Sequence, residues 1–332
     1  MTTVAISTQL HNPSDDIYAL RLLRDAGFEI KLISNKRFSQ GNASDEEEID
    51  ILQGTAAVLA AGERYTKNVI ESLPDLRVIA RLGVGFDKVD LEAANANNVL
   101  LTITPNANHE AVAEHTIALI MAVAKSIVMS DKAVRDGKWP TESLRPIRGS
   151  SLGIIGLGRI GQDVAYRALA MKMNVIAAEP HPNMEFILQN NIQLADLDTL
   201  LQESDFVSLN CALSNKTRGL IDRKKLALMK PGAILINTAR GGLVVEKDLV
   251  EALASGHIAG AGLDVFEIEP PGKDNLLYTM NNVVMSPHMA GNDTLSVENM
   301  RNEAAQFVID LFNGNWPDDA IVNKELKNIW TW

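Results

Sequence analysis

Three polar residues follow short apolar, β-branched runs in the second half of the chain: Arg240 after 233–237, Glu269 after 262–265 and His288 after 283–286. An arginine presents a planar fork that grips a carboxylate and polarises a neighbouring carbonyl. A histidine moves protons near neutral pH, and a carboxylate beside it orients the ring and favours its protonated form. Together they are what reduction of a 2-keto acid requires. Ligands in open α/β sheets bind outside the carboxyl ends of the strands, so the three are expected to converge on a bound nicotinamide.

A second set is built to hold that nicotinamide. Gly156-Leu157-Gly158-Arg159-Ile160-Gly161 directly follows the run 152–155 and opens a helical pattern over 160–171. Gly156 suits a tight turn, Gly158 lets the backbone approach a pyrophosphate, and Gly161 allows close packing of helix on strand. The pyrophosphate would rest on the helix N-terminus, where unpaired N–H groups and the dipole favour an anion. Glu179, eighteen residues after Gly161 and at the end of the next run, is placed to accept bonds from ribose hydroxyls and to repel a 2′-phosphate. NAD is therefore expected over NADP. The alternative is a solvated strand-end glutamate, and His181 nearby leaves room for a phosphate.

These groups need elements to position them. Short β-branched runs at 4–7, 28–33, 57–61, 78–82 and 100–104 alternate with helical patterns at 15–26, 45–52, 67–72 and 90–96. Repeated strand and helix predicts a parallel sheet covered on both faces. Residues 110–134 carry apolar positions at three- and four-residue spacing and predict one long helix, ended by Asp136-Gly137 and Pro140. Its apolar face suits either burial in one subunit or a contact with a second. A second series has strands at 152–155, 174–179, 206–210, 233–237, 262–265 and 283–286, and a helix over 295–312 then leads back to complete the first unit. The expected architecture is α/β, two doubly wound parallel-sheet domains with a Rossmann NAD-binding domain (103–292) inserted into a flavodoxin-like, discontinuous substrate domain (1–102 and 293–332).

Composition narrows the functional classes. The 332 residues are 46% hydrophobic and 22% charged, an ordinary globular balance. A formal charge of -11 disfavours nucleic acid. No apolar run approaches the roughly 18 residues that would span a bilayer, and the N-terminus has no signal-peptide pattern. The single cysteine, Cys211, excludes an intrachain disulfide or a multi-thiolate metal site and fits a reducing cytoplasm. It is expected to be a small buried hydrophobe, and the acidic run 45–48 the solvated start of a helix.

Six segments resemble the D-isomer-specific 2-hydroxyacid dehydrogenase family: VIARLGVGFDKVD (78–90), AVAEHTIALIMA (111–122), LGIIGLGRIG (152–161), INTARGGLV (236–244), GLDVFEIEP (262–270) and SPHMAG (286–291). The branches most similar are the phosphoglycerate dehydrogenases and the hydroxypyruvate or glyoxylate reductases. The resemblance implies that Arg240 holds the substrate's carboxylate and keto oxygen, that His288 is the acid/base, and that Glu269 is its partner carboxylate. It implies that Asp264 meets the nicotinamide carboxamide, and that Thr238, Ala239, Asn210, Thr217 and Gly291 contact the cofactor. Gly83, Val84 and Gly85 match a loop whose N–H groups, those of Val84 and Gly85 above all, bind the substrate carboxylate as a small anion nest. The reaction implied is hydride transfer between NAD(H) and C2 of a small (R)-2-hydroxy or 2-keto acid, in a homodimer joined through the helix near 110–135. With such segments in both units, one in the first and five in the second, a cleft between the domains is the expected site.

Departures from the family pattern are also present. The segment Asn210-Cys211-Ala212-Leu213-Ser214 stands where many members have His-x-Pro-Leu-Thr, and the ribose acid is glutamate rather than the more frequent aspartate. His109, His115 and His257 are expected in structural or surface roles, and Trp139 in packing. A phosphorylated substrate would need further basic groups, for which Arg64, Arg81 and Lys88 are the candidates, each equally readable as a surface charge. The additional regulatory domain of longer phosphoglycerate dehydrogenases is not expected. The rival reading is an NAD(H)-sensing, corepressor-like binding protein of the same fold.

Overall fold

The computed structural model describes residues 2–7 and 17–332. The first run of elements is β1 (Thr3–Ser7), α1 (Tyr18–Asp25), β2 (Glu29–Ile33), α2 (Lys36–Ser39), α3 (Asp45–Leu52), β3 (Ala57–Ala60), α4 (Lys67–Glu71), β4 (Val78–Arg81), α5 (Leu91–Ala96) and β5 (Leu100–Thr102). Its sheet is parallel throughout, in the order β2-β1-β3-β4-β5. That is the flavodoxin-like order, with the direction of winding reversing between β1 and β3. The central strands β3 and β4 are buried along their whole length, which their unalternating sequences AVLA and VIAR require. The expected start of the first helix, at residues 15 and 16, lies outside the described residues.

Helix α3 begins with a capping box: the Ser44 side chain accepts from the Glu47 N–H, and the Glu47 side chain accepts from the Ser44 N–H. The acidic first turn suits the positive end of the dipole. It is not wholly solvated, however. Glu48 shares a face with the buried Leu52 one turn on and is itself fully buried.

The second run contains α6 (His109–Ala124), α7 (Ile127–Arg135), β6 (Ser151–Ile155), α8 (Arg159–Ala170), β7 (Asn174–Ala178), α9 (Met184–Gln189), β8 (Gln193–Leu194), α10 (Leu197–Glu203), β9 (Phe206–Leu209), α11 (Arg223–Leu228), β10 (Ala233–Asn237), α12 (Glu246–Ala254), β11 (Ile258–Leu263) and β12 (Val283–Met285). All seven strands are parallel in the order β12-β11-β10-β9-β6-β7-β8, the doubly wound arrangement of a dinucleotide-binding domain with one strand added at the edge. The sequence pattern predicts six strands. The seventh, β8, has only two residues, too short to leave an alternating signature.

The long helix expected over 110–134 is two helices. Ser126 adopts a left-handed conformation (φ 47°, ψ 36°), and α6 and α7 bend by 55° there. Apolar spacing continues across the break, which is why the pattern alone reads as one helix. Among the described residues no single helix is long and apolar enough to cross a membrane.

The chain returns through α13 (Thr294–Phe312), whose Ala304, Ala305, Val308 and Leu311 pack in one apolar cluster with Val4, Leu59 and Val78. The tail then adds to β5: the Ile103 N–H donates to Ala320 O at 3.0 Å, and the Val322 N–H donates to Leu101 O at 2.9 Å. Buried Asn323 locks this join, accepting from the Leu101 N–H at 2.9 Å. The chain thus divides into two compact units, Met1–Asn108 with Asn292–Trp332, and His109–Gly291.

Candidate active site

The glycine turn between β6 and α8 has the form its spacing predicts. Gly156 has φ 94°, and a Cβ there would lie 2.7 Å from Cys211 N. A Cβ on Gly161 would meet Gly156 O at 2.1 Å, so helix and turn are in contact. By contrast, a Cβ on Gly158 would enter open space. Gly158 is the N-cap of the twelve-residue α8 and makes no side-chain cap bond, so the first N–H groups, around Arg159 and Ile160, are available to an anion. Across the turn, Asn210 accepts from the Ser208 hydroxyl at 2.8 Å, while its buried Nδ2 has no partner among the described residues. The open space beside Gly158 and the orphaned buried donor of Asn210 fit a bound dinucleotide.

Glu179 lies just past β7 and reaches back to this turn. Its Oε2 accepts from the Leu157 N–H at 2.9 Å and its Oε1 from the His181 N–H at 3.0 Å. Each oxygen keeps a further lone pair for a ribose hydroxyl. Cys211 backs Gly156, and burial pushes its thiol up to about 11, so it is no nucleophile.

Arg240 stands on a turn shaped by the last residue of β10. The buried Asn237 side chain donates to Arg240 O at 2.9 Å and accepts from the Ala239 N–H at 3.1 Å. Nη1 of Arg240 donates to Ala239 O at 2.7 Å. Thr238, also buried, is 2.7 Å from the Thr116 hydroxyl of α6. The following Gly241 packs so tightly on the Phe266–Glu267 backbone that a Cβ would lie 1.8 Å from Phe266 O. The Arg240 turn and the loop carrying Glu269 are therefore in direct contact.

Glu269 and His288 form a pair. Nδ1 of His288 is 2.6 Å from Glu269 Oε2, and Glu269 Oε1 accepts from the Phe266 N–H at 3.0 Å. One carboxylate oxygen is anchored to the backbone and the other fixes the imidazole, leaving the ring's Nε2 to work. His288 has φ 51°, a conformation rare for a non-glycine residue and one that concentrates at functional sites.

Asp264 holds that conformation. Its backbone carbonyl accepts from the His288 N–H at 2.8 Å. Its carboxylate is fully buried and accepts from the Ser286 hydroxyl (2.6 Å), the Met289 N–H (3.0 Å) and the Ala290 N–H (2.8 Å). Its oxygens face donors of their own chain and pin the loop that bears His288. Gly291 follows directly and ends the second unit.

The remaining predicted residues divide clearly. Thr217 closes a turn, accepting from the Ser214 N–H at 2.8 Å and donating to Ala212 O at 2.7 Å. In the first unit, Gly83 (φ 125°) is clasped by buried Thr104: the Gly83 N–H donates to Thr104 Oγ1 at 2.7 Å, and the Thr104 N–H donates to Gly83 O at 3.0 Å. The N–H groups of Val84 and Gly85 make no backbone bond among the described residues and remain to bind an anion. Of the basic candidates, Arg81 is buried with Nε donating to Gly85 O at 3.1 Å, Lys88 donates to Gly62 O at 3.0 Å, and Arg64 donates to Ala43 O at 3.3 Å. His109 bonds Asp163 at 2.7 Å and His257 bonds Leu226 O at 3.0 Å, both structural. His115 is not a bystander, since its Nε2 lies 2.8 Å from the Ser286 hydroxyl. Trp139 is exposed rather than packed.

The family described as D-isomer specific 2-hydroxyacid dehydrogenase, NAD binding domain, matches residues 117–290. A D-3-phosphoglycerate dehydrogenase of Archaeoglobus fulgidus is 35% identical over 298 residues, covering 89% of this chain and 55% of that protein. The chain thus spans about half the length of such relatives. A hydroxypyruvate reductase of Thermotoga maritima is 38% identical over 270 residues, 80% of this chain and 84% of its own. Among solved structures, an acyclic imino acid reductase in complex with NADPH and D-arginine superposes with a TM-score of 0.85 at 28% identity, covering 97% of this chain and all of its own. By its motifs, its sheet order and these relatives, the chain belongs to the D-isomer-specific 2-hydroxyacid dehydrogenase family.

Proposed function

We propose that this protein is an NAD(H)-dependent oxidoreductase that interconverts a small (R)-2-hydroxy acid and its 2-keto acid, of the 3-phosphoglycerate, glycerate/hydroxypyruvate or glyoxylate type. The observation that carries this reading is the His288–Glu269 pair, 2.6 Å apart, with the loop of Glu269 packed on the turn of Arg240. A bound nicotinamide supplies or accepts hydride at C4. In reduction, Arg240 grips the carboxylate and polarises the C2 carbonyl, and Nε2 of protonated His288 gives the oxygen its proton. Glu269 holds that imidazolium in place. Oxidation uses the neutral ring as base, so the pH optimum of reduction lies below that of oxidation. In the first unit, the Val84 and Gly85 N–H groups offer an anion site of their own.

Glu179 favours NAD by repelling a 2′-phosphate. A relative crystallised with NADPH makes both cofactors part of the test. The lone, partly buried Cys211 supports a cytoplasmic setting. A homodimer through α6 and α7 is supported by the absence of any buried residue on α7.

The test is consumption of NADH or NADPH, followed by absorbance, with glyoxylate, hydroxypyruvate, phosphohydroxypyruvate, pyruvate and branched-chain 2-keto acids. Turnover of at least one with NADH is expected. Tight NADH binding with no turnover of any would favour a sensor instead. Arg240→Ala should raise KM and lower kcat together, because the guanidinium contacts substrate in both ground and transition states. Unchanged kcat/KM would assign substrate binding elsewhere.

A further inference from the structure

Helix α6 reaches both catalytic loops with adjacent side chains. Thr116 donates its hydroxyl to Val112 O at 2.8 Å and so receives that of Thr238, two residues before Arg240. His115 places Nε2 2.8 Å from the hydroxyl of Ser286, two residues before His288. Ser286 Oγ is in turn 2.6 Å from Asp264 Oδ1. A carboxylate only accepts, so the serine proton points to Asp264 and the serine lone pair takes the Nε2–H of His115. His115 Nε2 is also 3.6 Å from Asp264 Oδ1, which makes it a second source of positive potential for a fully buried carboxylate.

We infer that His115 is a positioning residue for His288, acting through Ser286 and Asp264. Without His115, the Ser286 hydroxyl has no donor to hold its orientation, and Asp264 is left with fewer constraints on the loop it anchors. That loop keeps His288 at φ 51°, and with it the aim of the ring whose Nδ1 is tied to Glu269. Proton transfer is sensitive to small misplacements of this kind, so the loss appears in the chemical step rather than in binding. The inference rests on the reading of His288 as the acid/base.

The test compares His115→Leu, His115→Gln, Ser286→Ala and the double variant His115→Leu/Ser286→Ala. For the 2-keto acid that the wild type reduces best, kcat should fall at least about fivefold in His115→Leu, with KM for NADH and keto acid unchanged. Glutamine, whose amide can still donate to Ser286, should recover most of the loss. The effects of His115→Leu and Ser286→Ala should be non-additive, as expected of one chain of contacts. In the cofactor-free protein, the ¹⁵N resonances of the His288 ring should move in His115→Leu and return toward wild type in His115→Gln. A lowered Tm with kcat and the His288 resonances unchanged would overturn the inference, as would additive effects. Should His115→Leu fail to fold, His115→Gln and Ser286→Ala decide the matter by the same readouts. A wild type that reduces no 2-keto acid, with His288 resonances that still answer to His115, would overturn the proposed reaction and leave the positioning role standing.

Discussion

At the scale of single residues, the site depends on backbone atoms being allowed unusually close. Gly241 is the sharpest case: any side chain there would drive Cβ into Phe266 O, 1.8 Å away, and separate the Arg240 turn from the loop of Glu269. Gly241→Ala is expected to lower Tm by an amount corresponding to more than about 2 kcal/mol and to reduce kcat/KM steeply; a variant with wild-type Tm and kinetics would show that the two loops can separate freely. Arg240, Glu269, His288 and the three turn glycines are legible in the sequence because each sits at a fixed offset from a recognisable strand. The link from His115 through Ser286 to Asp264 is not. It joins residues 171 positions apart, from His115 to Ser286, and no local pattern encodes it.

At the scale of elements, the alternation of β-branched runs and helices is enough to read two parallel sheets, since fully buried strands have a distinctive apolar continuity. Breaks that leave apolar spacing intact escape this reading, as the left-handed Ser126 between α6 and α7 does. So does the burial of charge. Around β3 and α3, burial pushes Glu63 up to about 7, against the pull of Arg81 and Lys88, and pushes Glu48 to about 7 as well. The folded carboxyl of Glu63 therefore holds its proton above the ordinary value of 4.5. Between those pH values the native state binds a proton that the unfolded chain has released, so this group's contribution to stability is full below about 4.5 and is lost as pH rises through about 7. Glu63→Gln, which keeps an oxygen for the Ala61 N–H, should raise Tm relative to wild type at pH 8, with the difference closing at pH 5. The stabilisation at pH 8 is on the order of a few kcal/mol. Differential scanning calorimetry at the two pH values checks this, and a gap that widens at pH 5 would reverse the assigned sign.

At the scale of the whole molecule, one chain builds a unit, leaves it at Asn108, completes a second unit by Gly291 and returns to finish the first. The chain has a formal net charge of -11, so anions at the proposed sites would depend on local positive potential from Arg240, the N-terminus of α8 and the N–H groups of Val84 and Gly85. Helix α7 leaves Ile127 55% and Val128 51% exposed, and Trp139 just beyond is 82% exposed. Light scattering should accordingly give a mass near twice 36.1 kDa for the wild type and 36.1 kDa for Ile127→Asp/Val128→Asp. A monomeric wild type would remove the proposed role of this face. The central claim, that His288 and Arg240 serve hydride transfer to C2 of a 2-keto acid, is met most directly by isotope. With NADH doubly deuterated at nicotinamide C4, mass spectrometry of the 2-hydroxy acid formed should find one deuterium on C2, with turnover almost abolished in His288→Asn. A product whose C2 hydrogen comes from solvent, or an undiminished rate in His288→Asn, would contradict the account.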